Sequence, residues 1–218
     1  MGKVIAIDGP SGAGKSTVAK LLAKRLGFEY LDTGALYRAA ALLFLMKGVK
    51  PEDDDEELMG ALNSSDIRLE GMKVFLNSSD VTVEIRTPEI GHYSSVFSAR
   101  KIVRDFLLGV QRKASLEKNM VIEGRDTTTV VFPDAWKKFY IDASGTERRK
   151  RRYRQLKEAG IDVSEEGADN DIMERDKRDM GRGIAPLVKA EDAIIIDTTD
   201  TSIEGVIDKI LKIIRSDP

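Results

Sequence analysis

Gly9-Pro10-Ser11-Gly12-Ala13-Gly14-Lys15-Ser16 fits the pattern G-x-x-x-x-G-K-[ST]. The spacing has a physical reason. Glycines let the backbone wrap close to a polyphosphate and turn successive N–H groups inward. Lys15 then reaches the outer phosphates, and the Ser16 hydroxyl is placed to bind Mg2+. An ordinary glycine-rich turn is the plain alternative, and the flanking sequence argues against it. Val4-Ile5-Ala6-Ile7 reads as a buried strand. Val18, Leu21, Leu22 and Leu26 recur at helical spacing up to Gly27, a C-terminal cap. A helix starting at Lys15 adds its positive end to the anion site. Gly9, Pro10, Ser11, Gly12, Ala13, Gly14, Lys15, Ser16 and Thr17 are therefore the candidate site for a nucleoside triphosphate with Mg2+.

Arginines are the second chemical signal. Arg148, Arg149, Lys150, Arg151, Arg152 and Arg154 fall in one predicted helix. Arg148, Arg151 and Arg152, spaced i, i+3, i+4, share a face. Arg175, Arg178 and Arg182 share another, with Asp179 beside them. A solvated, salt-bridged helix is the bland account. Guanidinium groups, however, stay charged and bind phosphate oxygens bidentately. Two such faces joined by a polar loop, Gly160 to Asp169, predict a lid that closes over phosphates and excludes water. Asp32-Thr33-Gly34-Ala35-Leu36-Tyr37-Arg38 and Glu123-Gly124-Arg125-Asp126 each follow a predicted strand. Ligands bind at the carboxyl ends of strands in open parallel sheets, so both motifs bring an arginine towards the phosphate loop.

The elements that must position these residues can be read coarsely. Met120-Val121-Ile122, Phe139-Tyr140-Ile141 and Ala193-Ile194-Ile195-Ile196 are further strands, each followed by a polar turn and helical sequence. Strands alternating with helices predict an α/β fold, a parallel β-sheet flanked by helices. A second helix spans Ala35 to Lys47, and Glu52 to Glu57 is a solvated helix N-terminus. Ile67-Arg68-Leu69, Val74-Phe75-Leu76 and Val81-Thr82-Val83 read as three short strands of an antiparallel β insert, with Asn77 to Asp80 as turn material. Thr87-Pro88-Glu89 opens a helix, and Ser98 caps the next. The expected organisation is one domain over residues 1–218, with the β insert at about 64–88 and a helical lid at about 147–182.

Composition excludes several classes. The 218 residues are 41% hydrophobic with a net charge of −2, so a general nucleic-acid binder is disfavoured while a local basic cleft is not. Cysteine is absent, which removes thiolate metal sites, disulfides and cysteine nucleophiles. His92 is the single histidine; a surface or helix-packing role is expected of it. Trp136 and Tyr140 are read as core packing rather than stacking platforms. No stretch approaches the ~18 apolar residues of a membrane span, and no signal peptide is legible, so a cytoplasmic location is expected. An apolar run ending in D-x-x-G and an N-K-x-D motif are both missing, against a GTPase switch. A kinase for another nucleotide or a shikimate-like acceptor, and an ATP-binding module contacting nucleic acid, stay open on these residues alone.

The phosphate loop, Asp32–Arg38, Glu84-Ile85-Arg86-Thr87, Val103-Arg104, Gln111-Arg112, Gly124-Arg125-Asp126 with Val130-Val131-Phe132-Pro133-Asp134, and Glu174 to Pro186 follow one another in fixed order. In this the chain resembles the bacterial cytidylate kinase family, over nearly its whole length. The resemblance implies a nucleoside monophosphate kinase fold and the reaction ATP + CMP → ADP + CDP, with dCMP as second acceptor, in a monomer that binds neither nucleic acid nor membrane. It implies that Arg38, Arg125 and Arg182 hold phosphates, that Lys15, Arg125 and Arg182 are catalytic, and that Thr33 and Tyr37 line the monophosphate site. It assigns Ser95, Arg104 and Asp126 to the cytosine edge, and Arg175 and Asp179 to the sugar and phosphate of the acceptor. Arg148, Arg151 and Arg152 fall to the ATP side of the lid. Three residues depart from the family pattern. Thr33 stands where serine is common, Glu123 where aspartate is usual, and Thr128 where a glycine is usual. A positive φ at that glycine would strain Thr128.

Charged residues reach 33%, cysteine is absent, and glutamine occurs only at Gln111 and Gln155. That drift accompanies heat adaptation. A thermal melt is expected to give a midpoint above about 60 °C; a lower value would contradict the inference.

Overall fold

The computed structural model describes residues 2–115 and 118–216. Its centre is a five-stranded, all-parallel sheet. The strands are β1 (Val4–Asp8), β2 (Glu29–Asp32), β6 (Met120–Glu123), β7 (Lys137–Asp142) and β8 (Ile194–Asp197), in the order β2-β6-β1-β7-β8. Side chains alternate between the faces, as strand geometry requires. Ile5, Ile7, Val121, Phe139 and Ile141 pack against α1 (Lys15–Leu26) and α8 (Ile203–Ser216). Met120 and Ile122 point to the opposite face and meet Val4, Leu31 and Phe132.

A second core joins α2 (Thr33–Lys47), α3 (Asp55–Asn63), α4 (Pro88–Phe97) and α5 (Lys101–Ala114) to the β insert. Its centre is Phe44, which packs at 4.4 Å from Phe97. The insert contains β3 (Ile67–Glu70), β4 (Lys73–Leu76) and β5 (Ser79–Asp80), paired antiparallel. The helices α6 (Gly145–Glu158) and α7 (Glu165–Gly181) carry the two arginine faces and pack on each other.

Local sequence explains most boundaries. Gly14 and Gly27 both sit in the left-handed region at the ends of α1. Asp32, Asp54, Thr87, Ser144 and Ser164 cap their helices through side-chain oxygens. Pro88 takes the first helical position of α4, as expected.

Three boundaries differ from expectation. The third insert strand is Ser79–Asp80, not Val81–Val83. Asn77 adopts φ 55°, which allows a two-residue turn and pairs Leu76 with Ser79. Beyond Asp80, Val81 N still donates to the Val74 carbonyl at 2.9 Å, but Val74 N donates to the Thr82 hydroxyl in place of a backbone carbonyl, and the ladder stops there. Ser98 closes α4 instead of capping α5; its hydroxyl donates to the Ser95 carbonyl at 2.8 Å. The polar loop is shorter than Gly160 to Asp169, because Ser164 already caps α7 and Glu165 and Glu166 complement its N-terminus.

The strands β1, β2 and β6 all end in carboxylates, Asp8, Asp32 and Glu123, with Asp32 and Ile7 both in register with Glu123. Here the chain turns sharply at Gly9, whose φ is 147°. A Cβ at Gly9 would lie 1.9 Å from the Ile141 carbonyl oxygen, whereas one at Gly27 would meet nothing within 4 Å. Denaturant unfolding should therefore separate the two: Gly9→Ala costs at least about 3 kcal/mol and Gly27→Ala about 1 kcal/mol. Equal losses would refute the close approach at Gly9.

Candidate active site

A cavity of about 440 Å3 opens at the carboxyl ends of the strands. Its lining includes eight arginines and Lys15 against four carboxylates, Asp32, Glu123, Asp126 and Asp179. That surplus marks an anion site inside a chain of net charge −2.

One end is the phosphate loop. Ser11, Gly12, Gly14, Lys15, Ser16 and Thr17 line the cavity. Gly9, Pro10 and Ala13 lie behind and build the loop. The Pro10 carbonyl accepts from Lys15 Nζ at 2.7 Å, and the Ala13 carbonyl accepts from Arg151 and Thr198. Burial, then the neighbouring Arg125 and Arg175, lowers the Lys15 ammonium from its ordinary 10.5 to about 7; Glu123 and Asp8 oppose this. Glu123 is buried and accepts from Tyr30 Oη at 2.5 Å. Burial and Asp32 push its carboxyl up, while Lys15 and the Ser16 and Tyr30 hydroxyls pull it back. Ser16 and Glu123 thus bring hard oxygen donors to one place. No cluster of three or more potential acidic, histidine or cysteine ligands occurs among the described residues. The Ser16 and Glu123 oxygens suit Mg2+, which is held by few protein oxygens and completes its shell with water and phosphate.

The other end is set by α2, α4, α5 and the segment after β6. Arg104 and Asp126 form a buried ion pair, their side chains 7% and 8% exposed. The Arg104 guanidinium lies 5.4 Å from the Tyr37 ring centre and donates to the Ser98 carbonyl at 3.2 Å. Thr33 Oγ1 donates to the Glu123 carbonyl, which keeps the methyl-bearing side chain at the strand end. Ser94 and Ser95 both line the cavity, and the buried Ser95 hydroxyl has no hydrogen-bond partner. An unsatisfied buried hydroxyl is costly unless a ligand completes it, which singles out Ser95 of the two.

Between the ends stand the remaining arginines. Arg125 Nε donates to Asp179 at 2.8 Å. Arg38 donates to the Ile85 carbonyl at 3.1 Å and packs over Gly91, with burial lowering its guanidinium to about 10. The Arg175 guanidinium donates no hydrogen bond to any described residue; burial, Arg125 and Arg38 lower it to about 9. Arg182 reaches Ser98 Oγ at 3.3 Å, the Ala185 carbonyl at 2.8 Å and Asp179 at 3.8 Å. Ala185 holds φ 47°, strain located beside the site.

The arginine faces are not assembled as their spacing suggests. Arg151 and Arg152 line the cavity, but Arg148 turns to the outside of the phosphate loop. It donates to the Ser11 carbonyl at 2.9 Å and pairs with Asp176, whose carboxylate also accepts from Ser11 N at 2.9 Å. Arg175 faces the cavity, and α7 ends at Gly181, so Arg182 arrives from the following segment. Arg178 leaves that face and approaches His92 Nδ1 at 3.4 Å, while His92 packs edge-on against Tyr93. Arg86, Ser98 and Gln155 line the cavity without having been singled out from the sequence. Arg86 pairs with Asp32 at 3.1 Å, and its signal was its place in Glu84-Ile85-Arg86-Thr87. Thr128 is not at positive φ and carries no strain of that kind.

The Lys15 environment generates a proton balance. The unfolded chain keeps this proton up to pH 10.5 and the folded, ligand-free chain only to about 7. Stability therefore rises with pH across that window, and the full cost of the buried charge is carried below it. A bound polyphosphate favours the charged form and restores the proton. At about pH 8.5, well above the phosphate titration at ~6, ATP binding should take up close to one proton. Calorimetry in two buffers of different ionisation enthalpy reads this directly. Lys15→Met should abolish the uptake, and no uptake by the unaltered chain would sink the assignment.

Comparisons with known proteins agree with this geometry. The sequence profile of the family described as cytidylate kinase matches residues 5–216. A cytidylate kinase of Thermodesulfovibrio yellowstonii is 50% identical over the full length of both chains. One from Thermotoga neapolitana is 46% identical, over 99% of this chain and 98% of its own. Among solved structures, an uncharacterized protein from Eubacterium ventriosum shares the fold at a TM-score of 0.58 and 17% identity, covering 98% of this chain and 99% of the other. With a full-length profile match and relatives at half identity, the chain belongs to the cytidylate kinase family.

Proposed function

We propose that this chain transfers the γ-phosphoryl group of ATP to CMP, and to dCMP, as a single kinase domain comprising the β insert and the helical lid. The observation that carries the reading is one cavity with two different ends: a phosphate loop at one, and the buried Arg104–Asp126 pair at the other.

The chemistry demands little covalent help. The acceptor is a phosphate oxygen already anionic at neutral pH, so no strong base is needed. Catalysis is then positioning and charge stabilisation. Lys15, Arg125 and Arg182 face the charge that shifts during transfer. Arg38 and Arg175 hold the acceptor phosphate, Thr33 and Tyr37 wall its site, and Asp179 orients Arg125. On the donor side, Gly9–Thr17 bind the triphosphate, Arg151 and Arg152 reach it from α6, and Arg148 steadies the loop from outside. Mg2+, when bound with the nucleotide, is held by Ser16 and supported by Glu123, and neutralises phosphate charge.

The base end has a definite polarity. Asp126 accepts a hydrogen bond from the cytosine amine, but uracil presents a carbonyl there. Arg104 donates to O2 or N3 of cytosine, and the Ser95 hydroxyl adapts to either. A site whose buried groups are left unpaired rejects the wrong ligand strongly.

ADP release with ATP and a panel of CMP, dCMP, UMP and shikimate tests the reading. CMP should give the highest kcat/KM, above UMP by about tenfold or more, and Asp126→Ala should narrow that gap. A panel led by shikimate or UMP, or an unchanged CMP/UMP ratio in the variant, would overturn the respective assignment.

A further inference from the structure

Asp8 ends β1 and immediately precedes Gly9, the first residue of the phosphate loop. It is fully buried. Its carboxylate takes its hydrogen bonds from outside the donor loop. One oxygen accepts from Thr127 N at 2.9 Å, and the other accepts from Thr128 N at 2.7 Å and Thr128 Oγ1 at 2.6 Å. These residues follow Asp126 and open a π-helical turn, Thr127–Val131. Such turns are rare and recur at functional sites. The far end of the turn is also held: Arg112 donates to the Val131 and Val130 carbonyls at 3.1 and 3.0 Å. The Asp126 carbonyl, meanwhile, accepts from Val130 N at 2.9 Å.

The arrangement couples two substrates' sites through one side chain. Asp8 belongs to the strand that delivers the donor loop. The peptides it grips belong to the segment that presents Arg125 and Asp126 to the acceptor. A buried carboxylate is expensive unless its lone pairs are filled. Burial and the nearby Asp126 push the Asp8 carboxyl up, and the three bonds from Thr127 and Thr128 oppose them. The third bond comes from the hydroxyl of Thr128, and only a side-chain donor at this position could supply it. Resting on the CMP kinase reading, we propose that Asp8 and the Thr128 hydroxyl form a positioning clamp that fixes the base-reading Asp126 relative to the donor phosphate loop. Neither residue touches substrate. The Asp8 charge also supports the Lys15 ammonium, whereas the neutral Thr128 hydroxyl acts only through the clamp, so its loss appears on the acceptor side and in base discrimination, not in ATP affinity.

The test uses full-length chain and steady-state kinetics with CMP and UMP. Transfer to CMP by the unaltered chain is measured first; if it is absent, the functional reading fails and the clamp falls with it. Thr128→Val keeps the shape and removes the donor. It should lower kcat/KM for CMP about tenfold, the scale of a lost hydrogen bond to a carboxylate, and narrow the CMP/UMP ratio. The KM for ATP should stay within about twofold. Thr128→Ser, which keeps the hydroxyl, should restore both the rate and the ratio. Asp8→Asn should exceed the valine variant in loss; if it does not fold, the threonine pair decides alone. A Thr128→Val enzyme that melts earlier yet keeps its CMP rate and CMP/UMP ratio would show a purely structural bond and overturn the proposal. Equal losses towards ATP and CMP would do the same.

Discussion

Like charges brought into one cavity repel, and every part of this fold answers that constraint. Eight arginines and Lys15 share the cavity with four carboxylates, and four of these cations, Lys15, Arg38, Arg175 and Arg182, are held below their ordinary pKa. Such crowding persists only on a scaffold that cannot relax it. The parallel sheet supplies the floor, with strand-end carboxylates at Asp32 and Glu123. The second core, around Phe44 and Phe97, holds α2 and α4 so that Arg38 can lie over Gly91. Asp126 and Asp179 are placed as partial counterions: Asp126 pairs with Arg104, Asp179 is shared by Arg125 and Arg182, and positive charge is left facing the cavity. Phosphates complete the balance. Binding strength and catalytic stabilisation therefore have the same source, the positive charge left over when the protein has paired what it can.

Legibility from the sequence followed the range of the interactions. The phosphate loop, the cap at Thr87-Pro88 and the strands of the central sheet were readable because each depends on neighbours a few residues away. The arginines were recognisable as a set, but their directions were not. Arg178 differs from Arg175 by three positions and faces His92 instead of the cavity, because α7 is contacted on two sides by different partners. Arg148 shares a helical face with Arg151 and Arg152, yet Asp176 draws it behind the phosphate loop. That pairing spans 28 residues and leaves no local trace. The same holds for Asp8 and Thr128, 120 residues apart, where sequence alone raised only the question of backbone strain. Ser98 was legible as a helix boundary but not as which end of which helix, since a serine hydroxyl serves at either.

The helix α7 runs unbroken from Glu165 to Gly181, about 25 Å of rigid rod. Near its C-terminal end it touches both halves of the cavity. Asp176 holds the phosphate loop at Ser11, and one turn on, Asp179 holds Arg125, with Arg175 facing the cavity between them. A rod gripped at two places cannot respond to one without the other. Any influence that one half exerts on the other through this helix must, by thermodynamic reciprocity, be equal in both directions.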